Sequence, residues 1–259
     1  MKFSNTMIVT DLDGTFYGED HDFLDRNLEA VDYFTKNGGL FTIATGRVPE
    51  TMQKQLETFK RVTNAPAVLC NGALLYDFSQ DKRLTVMELD RKKSTEIIKA
   101  VLENFSIFRI RACAKGGEHP INTPEDTELL EEWMRVSFDD SSAETLNLIR
   151  TMLEEKYKDE FSFMLACPEI FEFQAKDVTK GKGLDRLRKL LCDSGMADNS
   201  LRVYAAGDYE NDLELLLHAD VACCPSNAMD LIKDVSHIQL CHHKDGAIAD
   251  LIEKIEKSL

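Results

Sequence analysis

The sequence predicts an α/β protein, a parallel-sheet core interrupted by an inserted α+β domain. Three observations lead there. Short, continuous apolar runs such as Met7-Ile8-Val9-Thr10 and Leu40-Phe41-Thr42-Ile43-Ala44 alternate with helical stretches, as strands buried on both faces do. From about Lys82 to Ala175 the strand candidates alternate apolar and polar residues, as in Phe108-Arg109-Ile110-Arg111 and Phe171-Glu172-Phe173-Gln174, which implies a more antiparallel sheet with one buried face. After that block the continuous pattern resumes. A chain of 259 residues is long enough for a core and a smaller second domain. The expected division is 1–81 and 178–259 for the core and 82–177 for the insertion.

Taken in order, Met7–Thr10 is a buried strand that runs into Asp11. Apolar residues at Leu24, Leu28, Val31 and Phe34 mark a helix closed by Gly38-Gly39. Leu40–Ala44 is a second strand, running into Thr45-Gly46-Arg47, and Pro49 fits a helix start. Ala67–Cys70 is a third strand ending at Asn71-Gly72. Within the insertion the helix candidates are Lys93–Asn104, Thr127–Met134 and Ala143–Tyr157, and Gly116–His119 reads as a loop. Beyond it, Gly183–Ser194 is helical, Arg202–Ala206 runs as a strand into Gly207-Asp208, and Asp220–Cys223 and His237–Leu240 are two more strands. Gly246–Lys257 closes the chain as an amphipathic helix.

Composition narrows the function. With 31 basic against 46 acidic residues the formal charge is −15, a field that repels nucleic-acid backbones and anionic membranes. No apolar run approaches the roughly 20 residues that span a bilayer, and Met1–Thr6 has no signal-peptide core. Seven cysteines without a Cys-x-x-Cys pair, most of them in apolar runs, suit reduced thiols in the cytoplasm. Cys241-His242-His243 is read as incidental rather than a metal site.

In open parallel sheets ligands bind beyond the carboxyl ends of the strands. The residues there are Asp11, Asp13, Thr45, Asn71 and Asp208, carboxylates and hydroxyls of the kind that hold Mg²⁺ and phosphate. Asp11 and Asp13 repel each other unless a cation lies between them. One carboxylate could then attack phosphorus, while the other protonates the leaving oxygen and later activates water. Taken alone, Asp-x-Asp-Gly is also an ordinary turn. Thr45 is also a possible helix cap, Lys180 a possible surface lysine, and Asp208 with Asp212 a possible acidic helix start. If a helix has begun at Asp208, the spacing of four puts both acids on one face.

These residues resemble the haloacid dehalogenase-like superfamily of phosphatases. Asp11-Leu12-Asp13-Gly14-Thr15 is similar to its first motif, Thr45 to its second, Lys180 to its third, and Gly207-Asp208-x-x-Asn211-Asp212 to its fourth. Thr45-Gly46-Arg47, Asn71-Gly72, Lys180-Gly181-x-x-Leu184 and Asp245-Gly246 resemble its Cof-like branch. The resemblance implies a Rossmann-like core with an inserted cap. It also implies Asp11 as nucleophile, Asp13 as general acid/base, and Mg²⁺ on Asp11, Asp13 (through its backbone carbonyl) and Asp208, with Asp212 in support. Thr45, Gly46, Lys180 and Asn211 would bind the phosphoryl group, and Arg47, Asn71 and Gly72 would lie toward the substrate. Lys182 is the competing lysine. The implied substrate is a small phosphorylated metabolite: a sugar phosphate, a nucleotide or a phosphorylated cofactor. The alternative is phosphomannomutase-like phosphoryl transfer, for which Arg109, Arg111, Lys115 and Arg135 would have to converge. An aspartate-phosphorylated receiver places its acidic pair before the acceptor, opposite to the order here. His119 is a candidate substrate contact. Phe16-Tyr17 and Cys224-Pro225-Ser226-Asn227-Ala228 depart from the branch's usual residues and leave the shape of the entrance open.

Overall fold

The structure, a computed structural model, describes residues 1–259. From the amino terminus the elements are β1 (Thr6–Thr10), α1 (Asp25–Lys36), β2 (Leu40–Ile43), α2 (Leu56–Val62), β3 (Ala67–Leu69), β4 (Leu74–Asp77) and β5 (Lys82–Val86). The inserted block follows with α3 (Arg91–Asn104), β6 (Arg109–Ala114), β7 (Gly117–Ile121), β8 (Arg135–Asp139), α4 (Ala143–Tyr157), β9 (Phe161–Cys167) and β10 (Ile170–Ala175). The chain then returns through α5 (Lys180–Asp193), β11 (Arg202–Ala206), α6 (Leu213–His218), β12 (Val221–Pro225), α7 (Asp230–Val235), β13 (Ile238–Leu240) and α8 (Ala247–Ser258).

The core sheet has the order β13-β12-β11-β1-β2, and all of its pairs are parallel. Successive side chains on a strand point to opposite faces. Ile8 therefore packs with α1, α2 and α8 residues such as Phe34, Phe59 and Leu251, while Met7 and Val9 pack with Leu187 of α5, Leu215 of α6 and Ile232 of α7. Both faces are covered, which is why these strands read as unbroken apolar runs. Val68 of the third strand meets the sheet through one parallel bridge to Ala44. Its main partner is β4, in an antiparallel hairpin that β5 extends. The reversal is made at Cys70, Asn71 and Gly72, whose φ angles are 50°, 48° and 99°.

The inserted block is a five-stranded antiparallel sheet of order β7-β6-β8-β10-β9. Ile110, Val136, Phe138, Phe171 and Phe173 face Ile97 and Val101 of α3 and Ile149 and Leu153 of α4. The alternate residues Arg111, Arg135 and Glu172 line a cavity shared with the core. We propose the division into core and cap on this separate apolar cluster. The pairing of β5 with β4 groups Lys82–Val86 with the hairpin of β3 and β4, and on the proposed division the insertion would begin after Val86.

Three local expectations are corrected. Thr127–Met134 is not a helix: a 3₁₀ turn covers Pro124–Thr127. The carbonyls of Thr127 and Leu130 accept the Arg91 guanidinium, and those of Glu131 and Trp133 accept the amides of Lys115 and Leu89. They are therefore not free for a helical ladder. The segment read as a loop at Gly116–His119 is largely β7, an edge strand that tolerates Pro120. Pro49 opens only a 3₁₀ turn, Pro49–Thr51, and the helix starts later, at Leu56.

Candidate active site

Asp11 follows β1 directly, and its amide donates to the Ala206 carbonyl at the end of β11 (2.8 Å). The amides of Ala44 and Thr45 donate to Thr10 and Val68 (2.8 and 2.9 Å), so the chain after β2 sits beside Asp11. The turn after Asp13 needs glycine twice over. Gly14 has φ 78°, and a Cβ there would lie 2.4 Å from Asp208 Oδ2. Gly72 has φ 99°, and a Cβ there would lie 2.1 Å from the Thr179 carbonyl oxygen. That close approach seats the hairpin turn against the start of α5, where Thr179 caps the helix by accepting the Lys182 amide.

Lys180 is the first residue of that helix and is fully buried. Its Nζ donates to Asp11 Oδ1 and to Asp212 Oδ1, each at 2.6 Å. Burial opposes its charge, but Asp11 and Asp212 outweigh that and hold the ammonium above its ordinary pKa. Lys182 is two-fifths exposed and lies 3.9 Å from Asp185, away from this cluster.

Carboxylate oxygens of Asp11, Asp208 and Asp212 come within 4.8 Å of one another. Asp208 and Asp212 do not meet as two acids on one helix face, because α6 begins only at Leu213. They meet because Asp212 Oδ2 accepts the amides of Asp208 and Tyr209 (2.9 and 3.2 Å), folding the loop back on itself. Thr15 donates its hydroxyl to Asp208 Oδ1 (2.8 Å). Burial, partly countered by Lys180 and reinforced by Asp212, Asp208 and Asp13, holds the Asp11 carboxyl well above the usual range. Burial and the charge of Asp212 push Asp208 up to about 7. Three carboxylates against one buried ammonium leave negative charge uncompensated, and the donors are hard oxygens. That set suits a divalent cation of the Mg²⁺ type.

The Asp13 carboxylate stands apart from this cluster. Its Oδ2 accepts Arg47 Nε (2.8 Å), and its Oδ1 accepts Arg47 Nη2 (2.6 Å) and faces His21 Nδ1 (2.7 Å). Burial would raise its pKa, but Arg47 and His21 hold it below the ordinary value.

Above these groups is a cavity of about 530 Å³. Asp11, Asp13, Thr45, Gly46, Arg47 and Asn211 line it from the core, and Arg111, Glu118, Arg135 and Glu172 line it from the cap. Asn71 and Gly72 do not line it. Asn71 is buried, donates to Glu172 Oε2 (2.8 Å) and accepts from Asn211 (3.3 Å), while the Gly72 carbonyl accepts Arg186 Nη2 (2.5 Å). Of the four cap cations, Arg111 and Arg135 reach the cavity. Arg109 bonds Asp139 (2.7 Å), and Lys115 bonds Glu131 (3.0 Å). His119 lines a different hollow, its Nε2 3.0 Å from the Lys115 carbonyl oxygen.

Sequence reading passed over Thr15 as a functional residue, as it did His21 and Glu172, and it named Arg135 only among the cap cations of the transfer alternative. Thr15 belongs to the first motif and could have been found there. The signal for Arg135 and Glu172 was their position on the polar face of alternating strands. His21 carried none, being one polar residue in the run Gly18-Glu19-Asp20-His21-Asp22. Of the two departures, Phe16 packs between Phe23 and Phe41 (5.8 and 5.5 Å between ring centres), and Asn227 donates to the Gly14 carbonyl (2.8 Å).

Comparison with known proteins agrees with this geometry. A family model described as haloacid dehalogenase-like hydrolase matches residues 8–252. A 5-amino-6-(5-phospho-D-ribitylamino)uracil phosphatase, YcsE of Bacillus subtilis (strain 168), is 23% identical over 241 residues, covering 89% of this chain and 87% of its own. A haloacid dehalogenase-like hydrolase structure from B. subtilis superposes with a TM-score of 0.81 at 16% identity, over 95% of this chain and 98% of the other. The subclass IIB sugar phosphatase BT4131 superposes with a TM-score of 0.78 at 15% identity, over 96% and 98%. No helix is long and apolar enough to cross a membrane.

Proposed function

Since the chain belongs to the haloacid dehalogenase-like hydrolase family, we propose that it is a Mg²⁺-dependent phosphatase. It would hydrolyse a small phosphorylated metabolite through a phosphoryl-enzyme on Asp11. The observation that carries this reading is the Asp11 carboxylate at the cavity floor, bonded to a fully buried lysine and crowded by Asp208 and Asp212. Asp11, Asp208 and the Asp13 backbone carbonyl would hold the cation, with Asp212 behind them. When bound, Mg²⁺ supplies positive charge that eases the approach of an anionic phosphate to an anionic nucleophile.

In the first step an Asp11 oxygen bonds to phosphorus as the ester P–O bond breaks. Despite burial, Arg47 and His21 favour the ionised form of Asp13, so Asp13 would take up a proton as the substrate enters and then give it to the departing oxygen. In the second step Asp13, now a carboxylate, takes a proton from water as the water oxygen attacks phosphorus. Inorganic phosphate leaves and Asp11 is regenerated. Lys180 neutralises Asp11 and would face the phosphoryl oxygens, with Thr45, the Gly46 amide and Asn211 around them.

Hydrolysis is favoured over mutase-type transfer by the pairing of the cap arginines. Arg111 bonds Asp139 (2.9 Å), Arg135 bonds Glu118, and neither leaves a free cation for a second phosphate. A cavity of this size suits a metabolite rather than a polymer. Seven free cysteines suit the reducing cytoplasm. With an aryl phosphate and Mg²⁺, Asp11→Asn and removal of the metal should each abolish turnover. Undiminished phosphate release in either case overturns the reading.

A further inference from the structure

Phe16-Tyr17 and the polar run after it are the part of the sequence that the four motifs leave unused. The structure folds that run back over the site. The Gly18 amide donates to the Asp22 carbonyl (2.8 Å), and Tyr17 pairs with Phe23 in an antiparallel bridge. Asp20 and His21 sit at the tip with φ angles of 54° and 58°. Side-chain-bearing residues hold such angles only where the surroundings fix them. Two contacts hold the ends of this turn. Lys244 pairs with Glu19, and the Tyr17 carbonyl oxygen lies 2.7 Å from His243 Nδ1.

The result is a clamp on one carboxylate. The Tyr17 ring is fully buried. His21 stands edge-on to it (6.2 Å between centres, 80°), and the Arg47 guanidinium carbon lies 5.8 Å from its centre. Tyr17 thus lies against both groups that face Asp13. Arg47 Nη2 lies 3.4 Å from His21 Nδ1, and a guanidinium can only donate. The short contact from His21 Nδ1 to Asp13 Oδ1 is a hydrogen bond when Nδ1 carries the hydrogen, which leaves that nitrogen no lone pair for Arg47. Asp13 Oδ1 then has two donors and Oδ2 one. No carboxylate oxygen of Asp13 joins the cluster of Asp11, Asp208 and Asp212.

We propose that His21 is a positioning residue for proton transfer: with Arg47, and seated on Tyr17, it keeps the Asp13 carboxylate turned from the acidic cluster toward the departing oxygen. This rests on the reading of Asp13 as general acid/base. A positioning role predicts a loss that depends on how much the leaving group needs a proton. p-Nitrophenolate departs without one, whereas the more basic phenolate gains from one.

The test is steady-state hydrolysis of p-nitrophenyl phosphate and phenyl phosphate with Mg²⁺ by wild type, His21→Gly, His21→Asn and Asp13→Asn. Glycine accepts the left-handed backbone and removes only the imidazole, while asparagine tolerates that backbone and keeps a donor near Nδ1. His21→Gly should lower kcat/KM for phenyl phosphate by roughly tenfold and that for p-nitrophenyl phosphate by no more than roughly twofold, because kcat/KM reports the steps up to departure of the leaving group and not the later hydrolysis of the phosphoryl-enzyme. His21→Asn should recover most of the loss. An equal loss on both substrates, or no loss on either, overturns the proposal while Asp13→Asn still loses phenyl phosphate selectively. If Asp13→Asn shows no selective loss, the parent reading of Asp13 falls and the proposal with it.

Discussion

The two halves of the cavity handle charge in opposite ways. On the core side, Asp11, Asp208 and Asp212 crowd around one buried ammonium and remain under-compensated. On the cap side each cation has a carboxylate: Arg135 with Glu118 and Glu172, Arg111 with Asp139. Under the proposed reading, the core half receives a cation and an anionic group together. The cap half is closed electrostatically and offers shape and hydrogen bonds. On that reading chemistry and selectivity are divided between the two sides of one cavity, as layered folds with inserted domains allow.

The largest expected effect comes from removing the core's only buried cation. Lys180→Met leaves Asp11 and Asp212 buried and facing each other without a counter-charge. Breaking a buried pair in this way costs about 3–5 kcal/mol. Turnover of an aryl phosphate should fall by about 10³-fold, as when a preorganised charge contact is lost. Urea unfolding without and with Mg²⁺ gives the check: the deficit should shrink when the metal is present. A deficit indifferent to Mg²⁺ would break the idea that the core half is the under-compensated one.

The cap half should respond differently. Arg135→Met takes away the ion-pair partner of Glu172 and leaves Glu118 with Arg111 alone (3.7 Å), and the loss of stability should be about 3 kcal/mol, near the lower end for a broken buried pair. Here Mg²⁺ should restore nothing. Arg135 Nη1 also bonds the Gly46 carbonyl (2.6 Å), so the variant should weaken the seating of the cap on the loop after β2. Faster amide hydrogen exchange at Gly46 and Arg47 would register this.

A smaller effect links the core to pH. Burial and Asp212 raise Asp208 from an ordinary 3.8 to about 7. A carboxyl raised on folding removes stability as pH climbs from the lower value to the higher one, because the folded state resists its ionisation. Under the proposed reading Mg²⁺ would bind the ionised form and recover that loss. Its apparent affinity should rise by at least roughly tenfold per pH unit below 7, Asp208 releasing one proton and the raised Asp11 steepening the rise wherever it is still protonated. The Mg²⁺-dependent rise in Tm, followed from pH 5.5 to 8, measures this. A flat profile would mean that Asp208 is ionised throughout.

The core was legible in the sequence because its strands are buried on both faces and its functional residues follow them directly. Asp11, Thr45 and Asp208 could be placed at strand ends from the apolar runs alone. The cap was legible only on its alternating strands. β7 reads Gly-Glu-His-Pro-Ile, which has no clean alternation, because an edge strand can carry a proline. The segment 127–134 has helical spacing, yet its carbonyls bond other parts of the cap, which no local pattern reveals. The polar face of the cap sheet was expected to differ from the apolar one, but not to be buried. Ser137 and Glu172 are covered because that face roofs the site. His21 was invisible because its place depends on a turn that brings it back to Asp13, a contact made in space and not in spacing.

The smallest expected effect separates two lysines two positions apart. Two residues along an α-helix correspond to about 200° of rotation, so Lys180 and Lys182 cannot share a face. The structure turns Lys180 inward, with no exposed surface, and leaves Lys182 two-fifths exposed beside Asp185 at 3.9 Å. A partly solvated pair of that length contributes little. Lys182→Ala should change stability by less than about 0.5 kcal/mol. Turnover of an aryl phosphate should stay within roughly twofold of wild type. The contrast with Lys180→Met then depends on where α5 begins, which the Thr179 cap and its contact with Gly72 decide. Were Lys182→Ala to lose activity on the scale of Lys180→Met, the helix would start in a different register. The lysine facing Asp11 would then be the other one, and the electrostatic contrast between core and cap would have to be drawn again from that residue.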